Sequence, residues 1–325
     1  MLSAQHLLRG FLFTSILTGL AGCAPSSYTV QQPSPSGMLY EQTQQATTTI
    51  TQSDNRVGDE KTFHSGILPA TLKIGSTAID PPSFLASSVS AELASRGFPV
   101  QVNTSGSELP HTTLHTFRVQ NHRASGFSPF VTLTFISADL DTGVAKKRIG
   151  VFVKRGKVPV WSFDEVVEPT LSQPLSIAVK EYSSKLANSL YGYHAPDSAV
   201  DALVAKLSGT LNENSFLDVY ALGFTNNPKA IDTLVKLTTH TDEYVRLAAI
   251  SSLGNLGATS KFDLLKSIYN NHDGLWQDRA MAIKAIGDLG TAESNAFLEA
   301  ELKNWESKKS DKESQWMAEI IGLYL

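Results

Sequence analysis

The alternation of apolar and polar positions changes character several times along this 325-residue chain. Residues 10–21 (GFLFTSILTGLA) form a continuous apolar run behind a short stretch whose one formal charge is Arg9. A bilayer span needs about 20 such residues, so the run reads as a secretory signal core, not a permanent helix. From Ala24 to about Lys61 Ser, Thr, Gln and Pro dominate, and no period of 2 or 3.6 is sustained. That composition predicts a disordered tether, with docking of Tyr28, Met38, Leu39 and Tyr40 onto the folded part or a partner as the alternative. Patterning begins at Leu72 and Ile74, which alternate as in a strand. Asp80-Pro81-Pro82 then opens a helix with Phe84, Leu85, Val89 and Leu93 on one face and Gly97 behind it. Alternating or β-branched runs at 98–102, 114–119, 130–136 and 148–153 predict a sheet of four or five strands. Leu175, Ala178, Val179, Tyr182, Leu186 and Leu190 make a helical stripe that covers it.

Beyond residue 196 every segment has helical period, and the segments resemble one another. Leu222-Gly223, Leu253-Gly254, Ile286-Gly287 and Ile321-Gly322 place glycines at spacings of 31, 33 and 35. Residues 245–257 (VRLAAISSLGNLG) and 278–290 (DRAMAIKAIGDLG) align throughout. A fixed period of this length means stacked supersecondary units. The motif, with Asp242 and Arg246 before it, resembles the HEAT repeat, which implies a short solenoid of helix pairs that bury their apolar stripes against neighbours. Gly257 and Gly290 suit a left-handed helix stop. The outer copies depart from the pattern, with Ser215 at the position of Arg246 and Gln315-Trp316-Met317 in place of Arg-Ala. The resemblance implies partner contacts at Arg246 and Arg279, or a ladder in which each arginine pairs with an acid or carbonyl of the next unit. Tyr220, Ser251 and Lys284, which align, are the expected exposed contacts of the second-helix face; Trp305, Trp316 and Tyr324 are either a cap or a further contact.

The apolar run ends in Leu20-Ala21-Gly22-Cys23, which resembles the lipobox of bacterial lipoproteins. The resemblance implies cleavage before Cys23, acylation of its thiol and a three-chain anchor. At roughly 0.8 kcal/mol per buried CH2, such an anchor is stable where one chain is marginal. Ala24, where aspartate resembles an inner-membrane retention signal, implies the periplasmic face of the outer membrane. A tether of this length would have a coil span on the order of 35 Å. The order of elements over residues 68–193 resembles small periplasmic lipoprotein domains such as those of the penicillin-binding-protein activator and curli-secretion lipoproteins, which implies setting and architecture only.

Charge and candidate chemistry narrow the function. A net charge of -4 gives no basic field for nucleic acid, and Cys23, the one cysteine, leaves neither a disulfide nor a cysteine zinc site. Asp139-Leu140-Asp141-Thr142-Gly143 contains the Asp-Thr-Gly of aspartic proteases, but it occurs once where that chemistry shares a proton between two carboxylates. It reads as a hairpin turn. As a phosphatase aspartate pair its threonine stands one residue early. His111, His115 and His122 fall in a strand run without a nearby carboxylate, so no metal site is expected. Gly126-Phe127-Ser128-Pro129-Phe130 lacks the second glycine of a nucleophile elbow. Lys146, Lys147, Arg148, Lys154, Arg155 and Lys157 form a basic ridge in a region of net +3, residues 64–195, while residues 196–325 carry -6. That acidic face suits a basic partner or the neighbouring basic hairpin.

The chain is therefore expected to be a lipoprotein with signal peptide 1–22, lipid anchor and disordered tether 23–63, an α+β domain 64–195 of mixed sheet and helix, and an all-α HEAT-like solenoid 196–325. Its expected role is a non-enzymatic adaptor in the periplasm without cofactor. It would bind an envelope protein through its repeats and touch the membrane by its N-terminal lipid only. A small-ligand or glycan-binding lipoprotein is the alternative, and a hydrolase or lyase a further one.

Overall fold

The computed structural model describes residues 26–42, 46–159, 161–308 and 311–325. The signal segment and the lipobox residues Leu20, Ala21, Gly22 and Cys23 lie outside these. Among the described residues no helix is long and apolar enough to cross a membrane. The architecture is α+β, a mixed sheet with helices followed by all-α repeats.

The predicted strands and helices of the middle region are present. β1 (Ser27–Thr29), β2 (Thr48–Asp54) and β3 (His64–Gly66) precede β4 (Thr71–Ile74), β5 (Thr77–Ala78) and helix α1 (Pro81–Ser95), which Asp80 caps through the Ser83 amide at 3.2 Å. Then come β6 (Val100–Asn103) and a meander of β7 (His111–His122), β8 (Phe130–Asp141) and β9 (Lys146–Lys157). The main sheet runs β6-β2-β7-β8-β9, with β3 beside the far half of β7, and β1-β4-β5 form a small second sheet. β2 is parallel to both its neighbours, whereas β7, β8 and β9 are antiparallel. A short helix Asp164–Val167 and a π turn Glu168–Ser172 lead into α2 (Gln173–Tyr191), closed by left-handed Gly192.

The expected disorder of residues 23–63 does not hold where the chain is described. Val30, Tyr40 and Ile50 are buried. Ser36 donates to Glu92 from both its amide (2.8 Å) and its hydroxyl (2.6 Å), and the Tyr40 amide donates to the Arg96 carbonyl at 2.9 Å. Residues 26–42 are a strap along α1, and β2 is an interior strand of the main sheet. Composition misled because the strap and β2 use polar side chains as internal partners. Thr51 donates to the Glu108 carbonyl (2.6 Å) and Gln52 to the Pro82 carbonyl (3.1 Å), so a buried strand reads as polar sequence.

The repeats pair a first and a second helix: α3 (Asp197–Leu207) with α4 (Ser215–Phe224), α5 (Ile231–Leu237) with α6 (Glu243–Asn255), α7 (Phe262–Tyr269) with α8 (Trp276–Leu289), and α9 (Ala292–Glu306) with α10 (Lys312–Gly322). Asp242, Thr291 and Asp311 cap α6, α9 and α10. The periodic glycine has a steric cause. A Cβ on Gly223 would lie 2.9 Å from the Ser252 Cα, and one on Gly254 2.5 Å from the Ala285 Cα, because each second helix presses on the next. Gly322, in the last copy, faces nothing within 4 Å.

No linker separates the two parts. The Ala195 amide donates to the Thr225 carbonyl at 2.8 Å, and one apolar core runs through sheet and repeats. α1 and α2 cover one face of the sheet. On the other, Arg118 pairs with Glu319 (3.2 Å) and Ser137 donates to the Leu323 carbonyl (3.0 Å), which seats the last repeat against the meander.

Candidate functional site

The seam between the sheet and the repeats gathers Tyr220, Ser251, Lys284, Lys154 and Arg155 of the residues that the sequence singles out. Lys284 projects from α8 toward α2, on which Glu181 and Lys185 stand one turn apart, and Asp288 follows Lys284 by one turn. Lys284 contacts Glu181 at 2.5 Å and Asp288 at 2.7 Å, and Lys185 contacts Glu181 at 2.6 Å and Asp288 at 2.5 Å. Lys185 also donates to the Gly150 carbonyl of β9 (2.6 Å) and Lys284 to the Ser251 hydroxyl (2.8 Å). These two cations and two anions are buried and sum to zero. Burial pushes the Lys284 ammonium toward neutrality, but Asp288 and Glu181 outweigh it and hold its pKa above the ordinary value. Burial likewise opposes the Asp288 carboxylate, and Lys185 and Lys284 together keep its pKa low.

This geometry corrects the expected exposed face. Tyr220, Ser251 and Lys284 do align along the second helices, but all three are buried, at 3%, 1% and 0% exposure, because that face docks on the protein's own sheet and α2. Arg246 and Arg279 are ladder members: Arg246 reaches both Asp278 oxygens at 3.0 Å and the His240 carbonyl at 2.8 Å, and Arg279 pairs with Glu313 and the Gly274 carbonyl. The basic ridge divides. Lys154 is buried against Glu243, and Arg155 is stacked between the rings of Phe216 (4.1 Å) and Tyr244 (3.8 Å) while donating to the Pro169 carbonyl. Burial drives the pKa of Lys154 down against the pull of Glu243. Arg148 pairs with Asp139 and donates to the Leu325 carbonyl (3.2 Å); Lys146 leans on Asp141 at 3.3 Å, and Lys147 and Lys157 are exposed. The ridge is thus partly the docking surface for the acidic repeats.

The other motifs resolve as turns and strand contacts. Residues 142–145 link β8 to β9, and the Asp141 carboxylate accepts from the Gly143 amide at 2.8 Å, which lowers its pKa. His115 contacts Asp139 (2.8 Å), while His111 meets Thr51 and Ser53 on β2. Among the described residues no group of three or more His, Cys, Asp or Glu is arranged to hold a metal. Glu181, Lys185 and Asp288 carry the seam yet were absent from the sequence candidates. The detectable signal was Asp288 one turn after Lys284 in an otherwise apolar repeat stripe.

Two of the concavities among the described residues bear on binding. One, of about 260 Å³, lies between the strap, α2 and α4; Gln31, Ser36, Met38, Ile177, Lys180 and Tyr220 are among its walls. Lys180 has no hydrogen-bond or ion-pair partner among the described residues, and burial lowers its pKa. The other, of about 360 Å³, is a groove between successive repeats, lined by Thr238, Arg246, Leu264, Ile268, Leu275 and Asp278 with others.

Comparison with known families finds HEAT repeats at residues 219–276, from within α4 to the first residue of α8. No curated protein matches the chain. Its helical part is similar to HEAT repeats, a scaffold consistent with protein–protein interaction.

Proposed function

We propose that this protein is a lipid-anchored adaptor of the bacterial envelope, held by acylated Cys23 at the periplasmic face of the outer membrane, that binds a protein partner without catalysing a reaction. The observation that carries this reading is the distribution of the repeat surface. The second helices are committed to the protein's own sheet, whereas the first helices α5, α7 and α9 and the groove ending at Leu275, 49% exposed, face outward. Solenoids offer extended surfaces of this kind to partners. The lipobox residues Leu20, Ala21, Gly22 and Cys23 support the address. The test is in-cell crosslinking and capture of the tagged full-length protein beside Leu275→Glu and Ile268→Arg. Named envelope proteins captured by the parent and lost from both folded variants are the expected result. Capture unchanged by either variant removes the repeats from recognition. Acyl labelling of the parent and of Cys23→Ala tests the anchor separately.

The cavity at Lys180 favours a second reading, binding of a small molecule with an anionic group and an apolar body. Lys154 and Arg155 of the basic ridge are consumed by the seam, so the discriminating variant is Lys180→Met. Thermal stabilisation by a carboxylate ligand that this variant abolishes supports the reading; stabilisation that persists in it does not.

A further inference from the structure

At one end of the β7–β9 meander three neighbouring loops leave large apolar side chains uncovered. The turn 123–129 carries Phe127, 95% exposed, and the loop after β9 carries Trp161, 91% exposed, with exposed Val158 three residues before it. The loop after β3 exposes Ile67 and Leu68. Strand pairing makes these loops neighbours. Phe130 at the start of β8 lies opposite Lys157 at the end of β9, and the Asn121 side chain near the end of β7 bonds both the amide and the carbonyl of Leu68 at 2.9 Å. Isolated exposed apolar residues are ordinary on soluble proteins, but two bare aromatic rings sharing one end with three aliphatic side chains form a patch that needs an occupant. The turn at the opposite end, residues 142–145, has no aromatic side chain.

The path of the chain says what covers this patch. The described structure begins at the same end: the Thr71 amide donates to the Ser26 carbonyl at 2.8 Å, and Tyr28 stacks on Phe163 at 5.1 Å, which in turn meets Phe130 edge-on at 4.9 Å. Cys23 precedes Ser26 by only three residues, a reach of about 11 Å at full extension. Acyl chains on Cys23 therefore draw the bare loops, not a distant tether, to the bilayer. Electrostatics does not replace the rings in this role, since the positive charges of Arg123 and Lys157 are balanced by the negative charges of Asp164 and Glu165 around the same loops. Aromatic residues with apolar flanks suit the water–lipid interface, where ring faces enter and polar edges stay wet.

We propose that this end of the sheet is a bilayer-docking surface, in which Phe127 and Trp161 enter the headgroup region of the leaflet that takes the Cys23 acyl chains. The proposal rests on the acylation proposed above. Membrane contact is then made by the fold as well as by the lipid, and the repeats stand at a fixed height over the leaflet.

The experiment uses full-length protein extracted from membranes and reconstituted into phosphatidylethanolamine vesicles with brominated acyl chains, which quench tryptophan at membrane depth. Mass analysis of the N-terminal peptide reads acylation independently. The expected result is quenching that falls at least twofold in Trp161→Phe, stays in Trp276→Phe, and persists in 0.5 M salt. An acylated protein whose quenching is the same in Trp161→Phe, or is abolished by salt, overturns the docking surface and leaves the anchor standing. An unacylated N-terminus overturns the anchor and the docking surface with it. Equal thermal transitions for the variants exclude misfolding as the cause.

Discussion

A lysine with no solvent exposure keeps its charge only if its partners are as buried as it is, and Lys284 meets that condition through Glu181 and Asp288. Lys284→Met leaves two carboxylates to one lysine in the same enclosure. Unpaired buried charge of this kind costs about 3–5 kcal/mol, which denaturant unfolding would register as a lower midpoint. Adding Glu181→Gln restores neutrality and should recover most of the loss; a double variant no better than the single would show that packing, not charge, sets the penalty. His64 gives the pH counterpart. Burial lowers its pKa, with the Ala70 backbone opposing, so the folded state binds fewer protons than the unfolded one just below the ordinary histidine value near 6.5. Stability is full above that value and declines as pH falls through it, and His64→Gln should flatten that part of the pH–stability curve.

The repeat helices were legible in the sequence for a reason that the glycines make plain. Gly223 and Gly254 recur because a neighbouring helix occupies the space of a side chain, and the requirement returns at Gly287, where the Tyr324 ring takes that space, but not at Gly322 in the last copy. Gly254→Ala forces the α6–α8 contact apart at backbone atoms of Ala285 and should cost about 1–3 kcal/mol. Gly322→Ala, at the end of α10 with free space around it, should be neutral or stabilising by about 0.5 kcal/mol. Comparable losses at both positions would contradict the packing account. The strap and β2 were illegible because period-based reading detects apolar stripes. These segments are held by Ser36, Thr51 and Gln52 hydrogen bonds, with Val30, Tyr40 and Ile50 as sparse apolar contacts. The site was legible in position and misread in direction. Tyr220, Ser251 and Lys284 do share one face, but no single-sequence pattern says whether such a face meets solvent, a partner or the rest of its own chain.

At the level of the molecule, opposite charge on the two parts, +3 on residues 64–195 and -6 on residues 196–325, is partly spent at Lys154–Glu243 and Arg118–Glu319, while the α2–α8 cluster, neutral on each side, locks the parts by crossed pairs. The two parts should unfold together in one cooperative calorimetric transition. A chain ending at Ala195 would uncover Phe152, Lys154 and the α2 charges, and should bind a hydrophobic dye and lack a cooperative transition. Two resolved transitions in the intact protein, or a cooperative fragment, would contradict a shared core. The placement of Leu323 and Tyr324 extends this point to time. Tyr324 lies against Gly150 in the sheet and Gly287 in α8, and Leu323 accepts from Ser137, so one face of the meander is covered by residues more than 170 positions after β9 begins. Contacts of such sequence separation form late, so refolding of the full chain is expected to finish only when the segment after α10 docks between the sheet and α8.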